Sequence, residues 1–163
     1  MGGKMKTKQE LFSELIDTCL PMFRQTAFRI LGNAADADDA VQEALLRAWQ
    51  KFGLFSSRSK MSSWVCRITI NTSYDILRKR KQEKEKLQQY DPDSNTAQEH
   101  AQTTALFRAL EELPEKYRTA LTAVYLCGLS GEEAAQIQSC NISAHYWRIS
   151  RGKEMLYKKL KGL

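Results

Sequence analysis

Hydrophobic residues recur at steps of three and four along most of the chain, which is the spacing of helices that bury one face. The first such pattern covers residues 11–31. A capping box formed by Thr7 and Glu10 is predicted to begin it, since each side chain can bind a free backbone amide. Pro21 lies inside the pattern. Because proline suits the first turn of a helix better than its interior, two helices are predicted to meet near residue 20.

A second amphipathic pattern begins at Asp36, and its first residues, 36–43, hold four carboxylates and no basic residue. Negative charge stabilises the start of a helix, so a solvated helix start is one interpretation. That interpretation leaves Leu46 unexplained, because this apolar residue stands beside the acids. The alternative is that this face meets a different partner from the rest of the molecule. The predicted buried stripe consists of Val41, Leu45, Ala48, Trp49 and Phe52.

Residues 53–63 are rich in serine and predict a loop, and Ser62 or Ser63 is predicted to cap the long helix that follows. From residue 44 to residue 90 there are 11 basic and 3 acidic residues. Positive charge beside aromatic and amide side chains suits base stacking and phosphate pairing, although Trp64 fits a half-buried core aromatic equally well. The inner side of this helix is marked by Val65, Ile68, Thr72 and Ile76, with Trp64, Arg67, Asn71, Tyr74 and Arg78 off that stripe.

Residues 88–104 contain three acids and neither lysine nor arginine, and this polar composition predicts a linker. A second helical module follows, with Pro114 predicted in the first turn of a helix. A capping box at Ser130 and Glu133 opens a short helix, and a brief turn leads to a basic helix capped by Ser143. This outline matches a helix-turn-helix, although most antiparallel helix pairs do not bind DNA.

The 163 residues carry 25 Lys and Arg against 19 Asp and Glu, a formal charge of +6, which favours a polyanionic partner. The four cysteines and two histidines are scattered, so neither a metal site nor another cofactor is predicted. The sequence offers no His or Cys pair, no phosphate-binding loop and no clustered carboxylates inside a pocket, which disfavours an enzyme. It also lacks a signal peptide and an apolar run of membrane length, which predicts a cytoplasmic protein.

The order and spacing of four motifs resemble bacterial RNA polymerase sigma factors of the extracytoplasmic-function (ECF) type, in the sigma-70 family. The motifs are FRQTAFRILGNAADADDAVQEALLRAWQKF, SSWVCRITINTSYDILRKRK, ALEELPEKYRTAL and GLSGEEAAQI, and the resemblance covers residues 11–161. It implies an all-α fold of two small domains. The first domain, residues 1–87, would dock on polymerase and bind the minus-ten element. A flexible linker, residues 88–104, would join it to a minus-thirty-five domain with a helix-turn-helix, residues 105–163.

The resemblance also implies a role for each surface. The acidic face would dock on a coiled coil of the largest subunit of core RNA polymerase, through Asp39, Gln42, Glu43 and Leu46. The serine-rich loop and the basic helix would capture a flipped base and hold the open minus-ten strand, through Ser57, Arg58, Lys60, Trp64, Arg67, Asn71, Arg78 and Arg80. The final helix would read the minus-thirty-five element through Ser143, Tyr146, Trp147, Arg148, Arg151 and Lys153.

By the same resemblance, the implied function is promoter-specific initiation of transcription without catalysis. The implied partners are core RNA polymerase, promoter DNA and an anti-sigma factor, with no small-molecule substrate and no membrane insertion. From the residues alone, two other functions stay open. An autonomous helix-turn-helix regulator would need to dimerise across two half-sites, and a helical RNA-binding protein would use the basic stretch.

The final helix departs from the family pattern. Tyr146 and Trp147 stand where a basic and a small residue are common, and His145 stands where an aliphatic core residue is common. Ser139 replaces a frequent turn glycine. Trp147 is expected either to pack against its own domain or to contact a thymine methyl group or a sugar.

Overall fold

The computed structural model describes residues 5–55, 60–88 and 101–162, except the side chains of 88 and 101–104. These ranges contain seven α-helices and no strand, which confirms the predicted all-α class. No helix among them is long and apolar enough to span a bilayer. The helices are α1 (Lys8–Leu31), α2 (Ala34–Gln50), α3 (Met61–Gln88), α4 (Ala101–Glu111), α5 (Glu115–Leu121), α6 (Gly131–Ile137) and α7 (Ile142–Lys161).

The first helix is a single rod, so the prediction of two helices meeting near residue 20 is wrong. The Thr7 capping box begins α1 as predicted, and Pro21 lies within the helix. The proline is exposed, so water can bind the carbonyl that loses its amide partner. The helix ends at Gly32, whose φ of 77° is a left-handed conformation that glycine adopts without a steric penalty.

Helices α1, α2 and α3 form the first module around an apolar core. Small residues on the inner face of α2 allow both neighbours to approach closely, and Phe23 of α1 and Ile70 of α3 have no solvent exposure. Asn33 caps α2 by accepting a hydrogen bond from the amide of Asp36 at 2.9 Å. The buried small residues of α2 are Ala37, Ala40, Ala44 and Ala48.

The start of α3 differs from the prediction. The helix begins at Met61, and the carbonyl of Lys60 accepts a hydrogen bond from the amide of Trp64 at 3.1 Å. Ser62 and Ser63 therefore lie inside the first turn rather than at the cap, and Ser63 is buried. A short 3₁₀ turn, Phe52–Leu54, occupies the start of the predicted loop.

The second module consists of α4 to α7, and α6 and α7 form the predicted helix-turn-helix. The capping box of Ser130 and Glu133 is confirmed. The cap of α7 is Asn141 rather than Ser143, because the Asn141 side chain accepts a hydrogen bond from the amide of Ala144 at 2.7 Å. A π-helical turn, Thr122–Leu126, continues directly from the C-terminal end of α5.

The predicted linker and the helices overlap at both of its ends. Helix α3 continues to Gln88, and the backbone of α4 is helical from Ala101, before the linker was expected to end. Positions 89–100 lie outside the described residues.

The two modules pack against each other along α3. Tyr74 of α3 has no solvent exposure, and its hydroxyl shares a hydrogen bond of 2.7 Å with the hydroxyl of Thr122 in the second module. Arg29 of α1 donates to the carbonyl of Leu126 at 2.8 Å. The expectation that Tyr74 lies off the buried stripe is therefore wrong, because the second module covers that side of the helix.

Ser139 in the helix-turn-helix adopts a φ of 50°, a left-handed conformation that costs a residue with a Cβ about 1–2 kcal/mol. Ser139→Gly should remove that cost, partly offset by the greater freedom of glycine in the unfolded chain. We expect a net increase of about 0.5–1 kcal/mol in the free energy of unfolding, measured by urea titration. Ser139→Ala keeps the Cβ and should give no such increase. A fall in stability on Ser139→Gly would contradict this explanation.

His145 has no solvent exposure, and its Nδ1 lies 3.1 Å from Oε1 of Gln138. Burial lowers the pKa of His145, and the charge of Arg148 lowers it further. Below the ordinary pKa of histidine the unfolded chain therefore binds a proton that the folded chain refuses. The free energy of unfolding should fall from pH 7 to pH 5, by at most about 1.4 kcal/mol per pH unit from this group. His145→Gln should flatten that fall, as checked by urea titration at each pH.

Candidate protein and nucleic-acid interfaces

The predicted docking residues lie together on one face of α2. Asp39, Gln42, Glu43 and Leu46 are all exposed, and their spacing of three, one and three places them on adjacent turns. Leu46 leaves 56% of its surface in water, so an apolar side chain is accessible on this face. Because the inner face of α2 is already packed against α1 and α3, this outer face is available to a partner.

Most of the acidic side chains around this face form ion pairs with arginines. Asp38 accepts two hydrogen bonds from Arg24, at 2.7 and 3.1 Å, and Glu43 pairs with Arg47 one turn along α2. Asp39 forms no ion pair within the part of the chain that the structure describes. An unpaired exposed carboxylate beside an exposed leucine is suited to a basic, partly apolar protein surface.

The predicted minus-ten residues fall into several different environments. Ser57 and Arg58 lie outside the described residues, and Lys60 is exposed immediately before α3. Trp64 is half-buried, with its ring centroid 5.3 Å from that of Phe55. The half-buried core aromatic is therefore confirmed for Trp64, and its contact with minus-ten DNA stays a prediction.

Arg67 and Asn71 project from α3 toward the second module. Arg67 donates to Oε1 of Glu115 from Nη2 at 2.9 Å and from Nε at 3.3 Å, and Asn71 donates to the same oxygen at 3.1 Å. The hydrogen bond from Arg67 is the main cause that holds the pKa of Glu115 below its ordinary value. Glu115 is therefore ionised at neutral pH, and one carboxylate oxygen receives both side chains.

The two remaining arginines of α3 pair with acids of the first module. Arg78 lies 3.4 Å from Asp75 on the same helix, and Arg80 pairs with Asp36 at the start of α2. Both arginines keep about half of their side-chain surface in water, so they can also reach a phosphate.

On α7 most of the predicted minus-thirty-five residues are exposed, and Arg148 is partly buried. Tyr146 and Trp147 are largely exposed, and the Trp147 ring centroid lies 6.0 Å from that of Tyr117. Trp147 therefore touches its own domain along one edge and still leaves 57% of its surface accessible. Arg151 pairs with Glu154 at 2.7 Å, and the ammonium group of Lys153 lies 5.0 Å from the Tyr125 ring centroid.

Two further residues contribute to the α7 surface without a signal in the sequence. A Cβ on Gly131 would lie 2.7 Å from the hydroxyl oxygen of Tyr146, so glycine at this position allows the phenol ring to rest on α6. Lys116 lies 5.9 Å from the Trp147 ring centroid and adds positive charge beside it. The capping-box pattern placed Gly131 in the first turn of α6 but could not show which side chain it faces.

The cysteines form no metal site within the described ranges, where no group of three or more potential ligands is found. Burial raises the pKa of Cys66 to about 12 and also raises the pKa of Cys127, and both thiols contact the hydroxyl of Thr26. Protonated thiols are poor ligands and poor nucleophiles, so these cysteines fill space between the modules.

Comparison with known proteins assigns both modules. Residues 15–83 match the family model for sigma-70 region 2, and residues 103–156 match the model for sigma-70 region 4. The chain is 30% identical to the ECF RNA polymerase sigma factor SigW of Bacillus subtilis, over 97% of this chain and 93% of that protein. It is 36% identical to the ECF sigma factor EcfG of Rhodopseudomonas palustris, over 84% of this chain and 78% of the relative.

A solved structure shares the fold and similar length. The sigma factor RpoE of Bartonella quintana, crystallised with the anti-sigma factor NepR, superposes with a TM-score of 0.52 at 28% identity, covering 92% of this chain and 96% of that one. CnrH in complex with the cytosolic domain of CnrY gives a TM-score of 0.53 at 22% identity, which supports the fold alone.

If Arg151 contacts a DNA phosphate, Arg151→Gln should reduce the slope of log affinity against log salt concentration by about 0.9 for duplex DNA. Fluorescence anisotropy with labelled duplex DNA over a salt series measures that slope. Lys8→Gln is the matched control, because Lys8 lies over the Trp49 ring in the first module, on a different surface from α7. Equal slopes for the two variants would show that Arg151 serves only its pair with Glu154.

Proposed function

The chain belongs to the ECF group of the sigma-70 family, and from this membership we propose that it is a transcription initiation factor for bacterial RNA polymerase. It binds core polymerase, directs it to specific promoters and helps to open promoter DNA. The two family matches fall on the two helical modules, which supports the division of labour expected from the sequence. Residues 1–87 would dock on polymerase and bind the minus-ten element, 88–104 would link the modules, and 105–163 would bind the minus-thirty-five element.

The observation that carries this proposal is the exposed face of α2. A chain with a net charge of +6 presents Asp39, Gln42, Glu43 and Leu46 together to solvent, although its other candidate surfaces are basic. A basic coiled coil of the largest polymerase subunit would complement that charge, and Leu46 would supply the apolar contact at the centre. This local acidity separates the polymerase side of the first module from its DNA side.

Promoter opening would use α3 and the loop before it. Extruding a base from the duplex costs a few kcal/mol, which stacking and polar contacts in a receiving pocket offset. Trp64 offers an accessible ring, and Arg67 and Asn71 offer donors on the neighbouring turns of α3. Ser57, Arg58 and Lys60 are proposed to complete the pocket, with Arg78 and Arg80 meeting phosphates further along the strand.

Recognition of the minus-thirty-five element would use the outward face of α7 in the major groove. Arg148, Arg151 and Lys153 supply positive charge for phosphates, and Ser143, Tyr146 and Trp147 lie among them on the same helix. The accessible edge of Trp147 is suited to the methyl group of thymine, which is an apolar feature of that groove.

Sigma factors are not enzymes, and bond formation belongs to the polymerase that they join. We infer that this chain works in the cytoplasm beside polymerase, without a cofactor or a small-molecule substrate of its own. The RpoE and CnrH structures were solved with anti-sigma factor NepR and the cytosolic domain of CnrY, respectively. An anti-sigma protein is accordingly the regulator that we propose for this chain.

The double change Asp39→Lys and Glu43→Lys should abolish co-purification with core RNA polymerase, because it places four units of altered charge on the docking face. It should also abolish transcription from promoters that depend on this chain, mapped in vitro with core polymerase and a genomic library. Circular dichroism should show unchanged helix content, since both residues are exposed.

The matched control is Glu14→Lys with Asp17→Lys, which makes the same charge change on an exposed face of α1. This control should retain polymerase binding. Unchanged association of the α2 variant would remove the proposed docking face. Failure of the wild-type chain to give start-site selection with core polymerase would remove the proposed function itself.

A further inference from the structure

Glu115 accepts hydrogen bonds from the donor groups that α3 would offer to promoter DNA. It lies at the first position of α5, immediately after Pro114, and both Arg67 and Asn71 donate to its Oε1. A guanidinium and an amide converging on one anionic oxygen is also how a protein holds a phosphate oxygen of nucleic acid. The carboxylate and a DNA phosphate therefore cannot use these two side chains at the same time.

The buried contact between Tyr74 and Thr122 holds the second module in the position that brings Glu115 to α3. Their shared hydrogen bond has no access to solvent, and the guanidinium of Arg118 lies 5.0 Å from the Tyr74 ring centroid. Burial raises the pKa of Tyr74 to about 12, so its hydroxyl stays protonated and able to bond across the contact. The carboxylate thus lies at the rim of a contact whose central hydrogen bond is buried.

The ion pair between Arg67 and Glu115 is itself weak. The side chains of Arg67 and Glu115 keep 41% and 48% of their surface in water, and exposed ion pairs contribute at most about 1 kcal/mol. Asn71 Oδ1 and Arg118 Nε are buried without a hydrogen-bond partner among the described residues, which opposes closure. A contact of this kind can be displaced by a ligand that binds the open form.

We propose that Glu115 is an autoinhibitory latch, a carboxylate that stands in for a promoter phosphate and keeps the minus-ten surface of the free chain closed. The inference rests on the proposed function, because it assumes that Arg67 and Asn71 contact DNA. In the free chain the second module covers α3, and single-stranded DNA must compete with Glu115. In the polymerase complex the modules are separated on two promoter elements, and the latch is open.

The test compares Glu115→Gln with Glu112→Gln in the full-length free chain. Glu112 is three residues away and pairs with Lys159 of its own module, so the control removes the same charge without touching α3. The probe is labelled single-stranded DNA of mixed sequence, measured by fluorescence anisotropy. Glu115→Gln should bind it about three- to tenfold more tightly than Glu112→Gln, the range expected for losing one exposed charged contact.

Thr122→Val tests the same latch without a change of charge, because it removes the hydrogen bond to Tyr74. It should also tighten binding of the probe, and small-angle X-ray scattering should show a larger radius of gyration for Glu115→Gln and Thr122→Val than for Glu112→Gln. Transcription by holoenzyme containing any of the three variants should match wild type.

Equal affinities of Glu115→Gln and Glu112→Gln, including no binding by either, would overturn the latch. So would equal radii of gyration. These outcomes leave the proposed function intact if wild-type holoenzyme still selects start sites. Loss of start-site selection by the wild-type chain is the separate result that defeats the proposed function.

Discussion

The burial of α3 on two sides is the constraint on which the rest of the molecule depends. Val65, Ile70 and Tyr74 all lack solvent exposure, and the hydroxyl of Tyr74 bonds to Thr122 of the second module. Buried hydroxyls on the same helix do not oppose this packing, because Thr69 and Ser73 each donate to the carbonyl one turn earlier, at 2.9 and 2.8 Å. A helix with many polar residues can thereby serve as the central element for both modules.

Ion pairs between neighbouring side chains determine which surfaces of the molecule carry unpaired charge. Acids near the start of α2 are neutralised one by one, Asp36 by Arg80 and Asp38 by Arg24, while Asp39 remains outside these pairs among the described residues. A basic protein can in this way keep the exposed Asp39 outside these ion pairs. The excess positive charge on α3 and α7 then favours a polyanion.

Local signals made the secondary structure largely predictable, and tertiary contacts explain most of the errors. The two capping boxes were predicted correctly because their hydrogen bonds are made within four residues. The helix break predicted at Pro21 was wrong, because the free-energy cost of a proline inside a helix depends on whether its surroundings are exposed to water. The burial of Tyr74 was not predicted, because it depends on a contact with Thr122, which lies far along the chain. The exposed acidic face of α2 followed from periodicity alone, whereas the pairing of Arg67 with Glu115 needed coordinates.

The position of Arg47 relates the docking face of α2 to the packing of α2 against α3. Its guanidinium pairs with Glu43 on the exposed side of α2 and donates to Asp75 of α3 at 3.0 Å, directly after the buried Tyr74. The hydrogen bond that Arg47 donates to Asp75 is the largest of the causes that raise the pKa of Arg47, so this arginine is a permanent cation between the two helices. A partner that takes Glu43 for its own basic groups would leave Arg47 to α3 alone. Binding at one face and packing at the other thus share a side chain, and thermodynamic linkage requires that any coupling through it acts equally in both directions.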